Sequence, residues 1–167
     1  MDDKIKKEIQ EIENQVSEVC DNNKVLEIDK EQELLNEFCD YEISTQLKFI
    51  GFDSPCFGFY NGATKSFEYE RRYNQSMFIG GAGCLAPTKR QAIKFFRETF
   101  QISGHISMWD EEYMYEIEDI YGEELGGNEN FKNLVDAERD LLMNLIEIAK
   151  GIIKEHSKNS KIIEKHS

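Results

Sequence analysis

The sequence predicts an α+β fold: an antiparallel sheet built from two β-hairpins, with helices on one face and an N-terminal heptad helix in front of them. Three observations carry this. Apolar residues recur at helical spacing in four stretches, within residues 5–19, 34–50, 88–100 and 129–155. Residues 55–73 and 101–120 instead alternate apolar with polar, as half-buried strands do. Clusters of Gly, Asn and Asp separate the blocks.

The elements follow in order. Ile5, Ile9, Ile12, Val16 and Val19 step by four and three, an a/d seam flanked by Lys6, Lys7, Glu8, Glu11, Glu13 and Glu18. These five residues form a candidate interface for self-association or for a partner, and Asp21-Asn22-Asn23-Lys24 breaks the pattern like a hinge. Asp29 suits an N-cap for a helix from Glu31 to Phe38, with Leu34, Leu35 and Phe38 on one face. Ile43, Leu47 and Ile50 mark a helix over 42–50 that ends at Gly51. A strand over 55–60, an Asn61-Gly62 turn and a strand over 66–73 make the first hairpin.

A helix over 88–100 buries Ala92, Phe95, Phe96 and Phe100 and leaves Arg90, Lys94 and Arg97 on another side. The second hairpin pairs 101–108 with 113–120 across Trp109-Asp110-Glu111-Glu112. Gly126-Gly127-Asn128 then separates it from a long helix over 129–155. Three regions result: an amphipathic helix at 1–22, one α+β domain at 25–155 and a polar tail at 156–167.

Composition narrows the function. At 167 residues and 40% hydrophobic, the chain has the length for one domain with its own core. No apolar run approaches the length needed to span a bilayer, and Met-Asp-Asp-Lys begins no signal peptide, so a cytoplasmic protein without a membrane partner is expected. Cys20, Cys39, Cys56 and Cys84 lie far apart, and with three histidines the chain shows no metal-ligand spacing and implies no cofactor.

The net charge of −13 is unevenly spread. Residues 1–40 carry 13 acids against 5 bases and residues 105–150 carry 13 against 3, whereas residues 41–104 carry 5 against 8. Such acidity argues against direct binding of nucleic acid.

The phrase Gly51-Phe52-Asp53-x-Pro55-Cys56-Phe57-Gly58-Phe59-Tyr60, followed by Leu85-Ala86-Pro87-Thr88, Phe95-Phe96-Arg97-Glu98 and Tyr115-Glu116-Ile117, resembles a group of small proteins of gut Bacteroidales bacteria, their phages and prophages. The resemblance covers about residues 40–150 and implies an α+β fold, a mobile-element origin and a place in the host cytoplasm. It brings no activity, cofactor or catalytic residue with it.

Three functions compete. The first is a non-catalytic binding protein whose heptad seam and acidic blocks engage a protein, either a second copy or a host factor that it inhibits. The second is an anion or nucleotide site: Gly81 and Gly83 would offer backbone N–H groups before a helix, beside Arg90, Lys94 and Arg97. The segment lacks the P-loop pattern. The third is a thiol hydrolase with Cys84 ahead of a helix and His105 on the next strand, oriented by Asp110 or Glu112. Only 20 residues separate that pair, and the expectation is that the chain binds and does not catalyse.

Overall fold

The structure is a computed structural model that describes residues 32–73 and 83–164. The expected heptad seam, Ile5 to Val19, and Gly81 therefore lie outside the described residues, as does the hinge after Val19. The chain divides into two units, Met1–Glu37 and Phe38–Ser167. In the first, residues 32–36 form a helical turn closed by a Gln32–Asn36 side-chain hydrogen bond of 3.3 Å.

The second unit confirms the α+β class and corrects the expected single sheet. It orders as α1 (Tyr41–Phe49), β1 (Cys56–Asn61), β2 (Phe67–Tyr73), β3 (Gly83–Ala86), α2 (Lys89–Thr99), β4 (Ile102–Trp109), β5 (Glu112–Asp119), β6 (Glu124–Phe131) and α3 (Leu134–Glu164). The strands make two three-stranded antiparallel sheets, β2-β1-β3 and β4-β5-β6.

Local chemistry explains most boundaries. Asp40 caps α1, accepting from the Ile43 N–H at 2.8 Å, and Gly51 leaves the helix at φ +95°. Thr88 and Gln91 form a reciprocal capping box at the start of α2. Asn133 accepts from the Asp136 N–H at 2.9 Å, so α3 begins five residues later than its apolar period suggests. The residues before it, including Gly126-Gly127, form β6 in place of a loop. Phe38 likewise leaves the expected helix: it bridges to Thr88, and its ring packs on Phe67 with centroids 5.0 Å apart.

The hairpin turns split. Asp110 and Glu111 supply the tight β4–β5 turn at φ 51° and 64°, values that β-hairpins favour but that side chains tolerate poorly. The β1–β2 turn is longer than the Asn61-Gly62 signal implies. The Asn61 side chain accepts from the Ala63 and Thr64 amides, and Lys65 takes the left-handed position.

One core joins these layers. The inner face of β4–β5 presents Ile102, Tyr115 and Ile117 to Leu141, Leu142, Leu145, Ile146 and Ala149 of α3, with Ile43 and Leu47 of α1, Leu85 of β3 and Phe96 of α2 in the same buried cluster. No described helix is long and apolar enough to cross a membrane.

Gly104 lets α3 approach β4, because a Cβ there would collide with Leu141. Gly104→Val should therefore lower the free energy of unfolding by about 1–3 kcal/mol, an overpacking cost. Urea denaturation checks this, and unchanged stability would mean that Leu141 does not sit against β4.

Candidate functional site

The three sequence-level candidates meet different fates. Cys84 lies in β3 and not in a loop, buried, with its sulfur 3.7 Å from Thr45 Oγ1. Burial raises its thiol pKa, opposed by the Thr45 hydrogen bond and the Lys48 charge. His105 lies in the other sheet, half-exposed on β4, and its Nε2 stands 3.2 Å from Glu116 Oε2 across the ladder. The partners of thiol and imidazole thus differ, and Asp110 and Glu112 sit at the turn beyond. Burial also raises the Cys39 thiol and pushes Cys56 up to about 12.

The expected anion loop is built differently too. Gly83 belongs to β3, paired with Asn61, and a Cβ there would stand 2.5 Å from the Tyr60 carbonyl oxygen. An extended strand sends successive N–H groups to opposite sides, so residues 83–86 do not aim them at one point. At the start of α2 the Thr88 and Gln91 N–H groups are already taken by the capping box. Arg90, Lys94 and Arg97 are exposed on α2, where Lys94 lies 3.7 Å from Glu98. Lys89 instead pairs with Glu138 at 2.6 Å.

What the fold does assemble is an acidic sheet face. Along β5 the alternation Tyr113, Tyr115, Ile117 turns inward, which sends Glu112, Met114, Glu116 and Glu118 outward. Register then fixes their neighbours: Trp109 opposite Glu112, His105 opposite Glu116 and Ser103 opposite Glu118 on β4. On β6, Gly127 stands opposite Glu116 and Glu124 opposite Glu118. Gly127 carries no side chain, as the Tyr115 carbonyl oxygen only 2.8 Å from its Cβ position requires. The gap is a shallow cleft of about 340 Å³ bordered by Met114, Glu116, Glu124 and Glu129. Lys132 neutralises Glu112 at one end, and Trp109, 75% exposed, projects beside it.

The opposite face is fixed by a polar knot. The Tyr115 hydroxyl donates to Asp140 Oδ2 at 2.6 Å and accepts from Asn144 Nδ2 at 2.7 Å, while Asn128 Nδ2 reaches the same carboxylate at 3.2 Å. The sheet is thereby held to α3 with its acidic side outward. The acidic block is visible in the composition of residues 105–150, but its arrangement comes from the strand register. The period-2 placing of Glu112, Glu116 and Glu118 was the signal available.

Among the described residues no group of three or more His, Cys, Asp or Glu is placed to hold a metal ion. Comparison with family models, curated proteins and solved structures returns no match.

Two outcomes test this geometry. Iodoacetamide at neutral pH should leave Cys39, Cys56 and Cys84 unmodified in the folded protein, as mass spectrometry reads it; rapid alkylation of Cys84 would restore the thiol reading. Tyr115→Phe should cost about 1.5 kcal/mol at neutral pH. Burial, then the hydrogen bond and charge of Asp140, raise the Tyr115 hydroxyl above its ordinary 10 in the folded state. A raised folded value gives stability that is fully present below pH 10 and is lost as pH rises beyond it. The gap between wild type and Tyr115→Phe should therefore shrink above pH 10, and a gap independent of pH would contradict the knot.

Proposed function

We propose that this protein is a non-catalytic binding protein whose outer β4-β5-β6 face captures a cationic surface of another protein. The observation that carries this reading is the pairing of Glu118 directly with Glu124. Like charges directly opposite on neighbouring strands destabilise a sheet by about 0.2–1 kcal/mol in the free protein. A lysine or arginine from a partner placed between them removes that repulsion and adds charge-assisted hydrogen bonds. Glu116 and Glu129 extend the field around the cleft, and Trp109 offers an exposed aromatic anchor at the sheet's end.

The same features explain selectivity. Carboxylates on an open sheet face repel nucleic acid and acidic surfaces and steer basic ones, faster at low salt than at high. His105 stands half-exposed beside Glu116, and Lys132 pairs with Glu112 at the end of the face.

Glu124→Lys tests the reading because stability and binding should move in opposite directions. The variant converts a repulsive pair into an attractive one, so the free protein should gain roughly 0.5 kcal/mol in urea denaturation. Partners recovered by the tagged wild-type protein from lysate at low salt should be lost from Glu116→Lys/Glu124→Lys. Undiminished recovery by that double variant would sink the proposal.

A further inference from the structure

We infer that the cleft between residues 51–55 and α2 binds a free basic α-amino acid. This site is separate from the acidic sheet face and does not rest on the reading given to it. The cleft measures about 280 Å³ and is lined chiefly by Asp53, Ser54, Gln91, Lys94, Phe95 and Glu98. That volume lies just below the range of drug-sized pockets and suits one amino acid.

The walls are preorganised. Phe95 forms the apolar part of the lining, packed edge-on against the buried Phe52 with ring centroids 5.2 Å apart. The loop is held at both ends. The Phe52 N–H donates to the Leu47 carbonyl at 2.9 Å, and Gln91 Nε2 donates to the Pro55 carbonyl at 3.2 Å. Little ordering is then left for a ligand to impose.

The charges select the ligand. Lys94 contributes one ammonium, and Asp53 and Glu98 contribute two carboxylates, so the lining carries a net charge of −1 from +1 − 2. Its complement is a molecule with one carboxylate and two cationic groups, which describes arginine or lysine. The ligand carboxylate meets Lys94, its two cations meet Asp53 and Glu98, and its stem or guanidinium lies over Phe95.

Lys94 and Glu98 are free to turn to such a ligand. They are 3.7 Å apart and each 61% exposed, a pairing worth little in water. Asp53 has no hydrogen bond or ion pair among the described residues, and open space beside Gly51 leaves the mouth clear. An anion alone would face two carboxylates, which is why the basic stripe read from the sequence does not make this an anion site.

The test titrates L-arginine, agmatine, Nα-acetyl-L-arginine and L-glutamate into the full-length ¹⁵N-labelled protein. L-Arginine should give saturable amide shifts over residues 51–55 and 91–99, with a dissociation constant of about 1 mM. Agmatine, which lacks the carboxylate, should bind about fivefold more weakly, and Asp53→Asn should weaken L-arginine by about the same factor while the spectrum stays dispersed. Nα-acetyl-L-arginine, which lacks the α-ammonium, should also bind about fivefold more weakly; binding as tight as that of L-arginine would overturn the inference. Absence of saturable shifts, equal binding of agmatine or L-glutamate, or an unaffected Asp53→Asn would each overturn the inference.

Discussion

The architecture hangs on one turn of α3. Successive helical residues point about 100° apart, so Glu138, Arg139 and Asp140 reach three different elements. Glu138 takes Lys89 of α2 at 2.6 Å, Arg139 takes Asp40 and Glu42 of α1, and Asp140 takes Tyr115 of β5. On either side of this polar turn, Ala137, Leu141 and Leu142 are buried. The apolar contacts supply most of the stability, since they remove large side chains from water. The Arg139 pairs are half-exposed and contribute little. The charge-assisted bond from the buried Tyr115 sets how the second sheet faces the helix.

That orientation decides what the surface can do. With Tyr115 and Ile117 committed to α3, the pleat sends Glu116 and Glu118 to solvent. The β6 register adds Glu124 and leaves Gly127 as a gap. The acidic face is thus a consequence of packing the other side. Its one evident electrostatic fault, Glu118 against Glu124, stands where a binding surface gains from a partner of opposite charge. On α2 the same logic appears at smaller scale. Burying Ala92 and Phe96 leaves Lys94 and Glu98 to border the cleft against Asp53.

Much of this was legible in the residues. The apolar periods over 42–50 and 88–100, with Gly51, place α1 and α2, and the alternation on either side of Asp110-Glu111 places their turn. The Asp40 cap and the Thr88–Gln91 box that fix the helix starts are seen in the structure. Strands β3 and β6 were not legible. Gly83-Cys84-Leu85-Ala86 is too short to show a period, and Gly126-Gly127 inside β6 reads as a breaker. Both are strands because β1 and β5 offer them edges, a tertiary cause that local propensity does not contain. The site suffered for the same reason. A glycine-rich run before a helix suggests a phosphate cradle only if its backbone is a loop, and the part described is a strand. Cys84 and His105 looked like neighbours in sequence, but the chain places them in different sheets.

The central claim is that the β4-β5-β6 face is where another protein binds, and carbodiimide cross-linking tests it most directly. The reagent joins a carboxylate to a lysine with no spacer, so it reads which acids touch a basic partner. Applied to the full-length protein with its captured partner, the account predicts intermolecular links from Glu116, Glu118, Glu124 or Glu129, identified by mass spectrometry. Links confined to acids elsewhere in the chain, with these four unmodified by the partner, would contradict it.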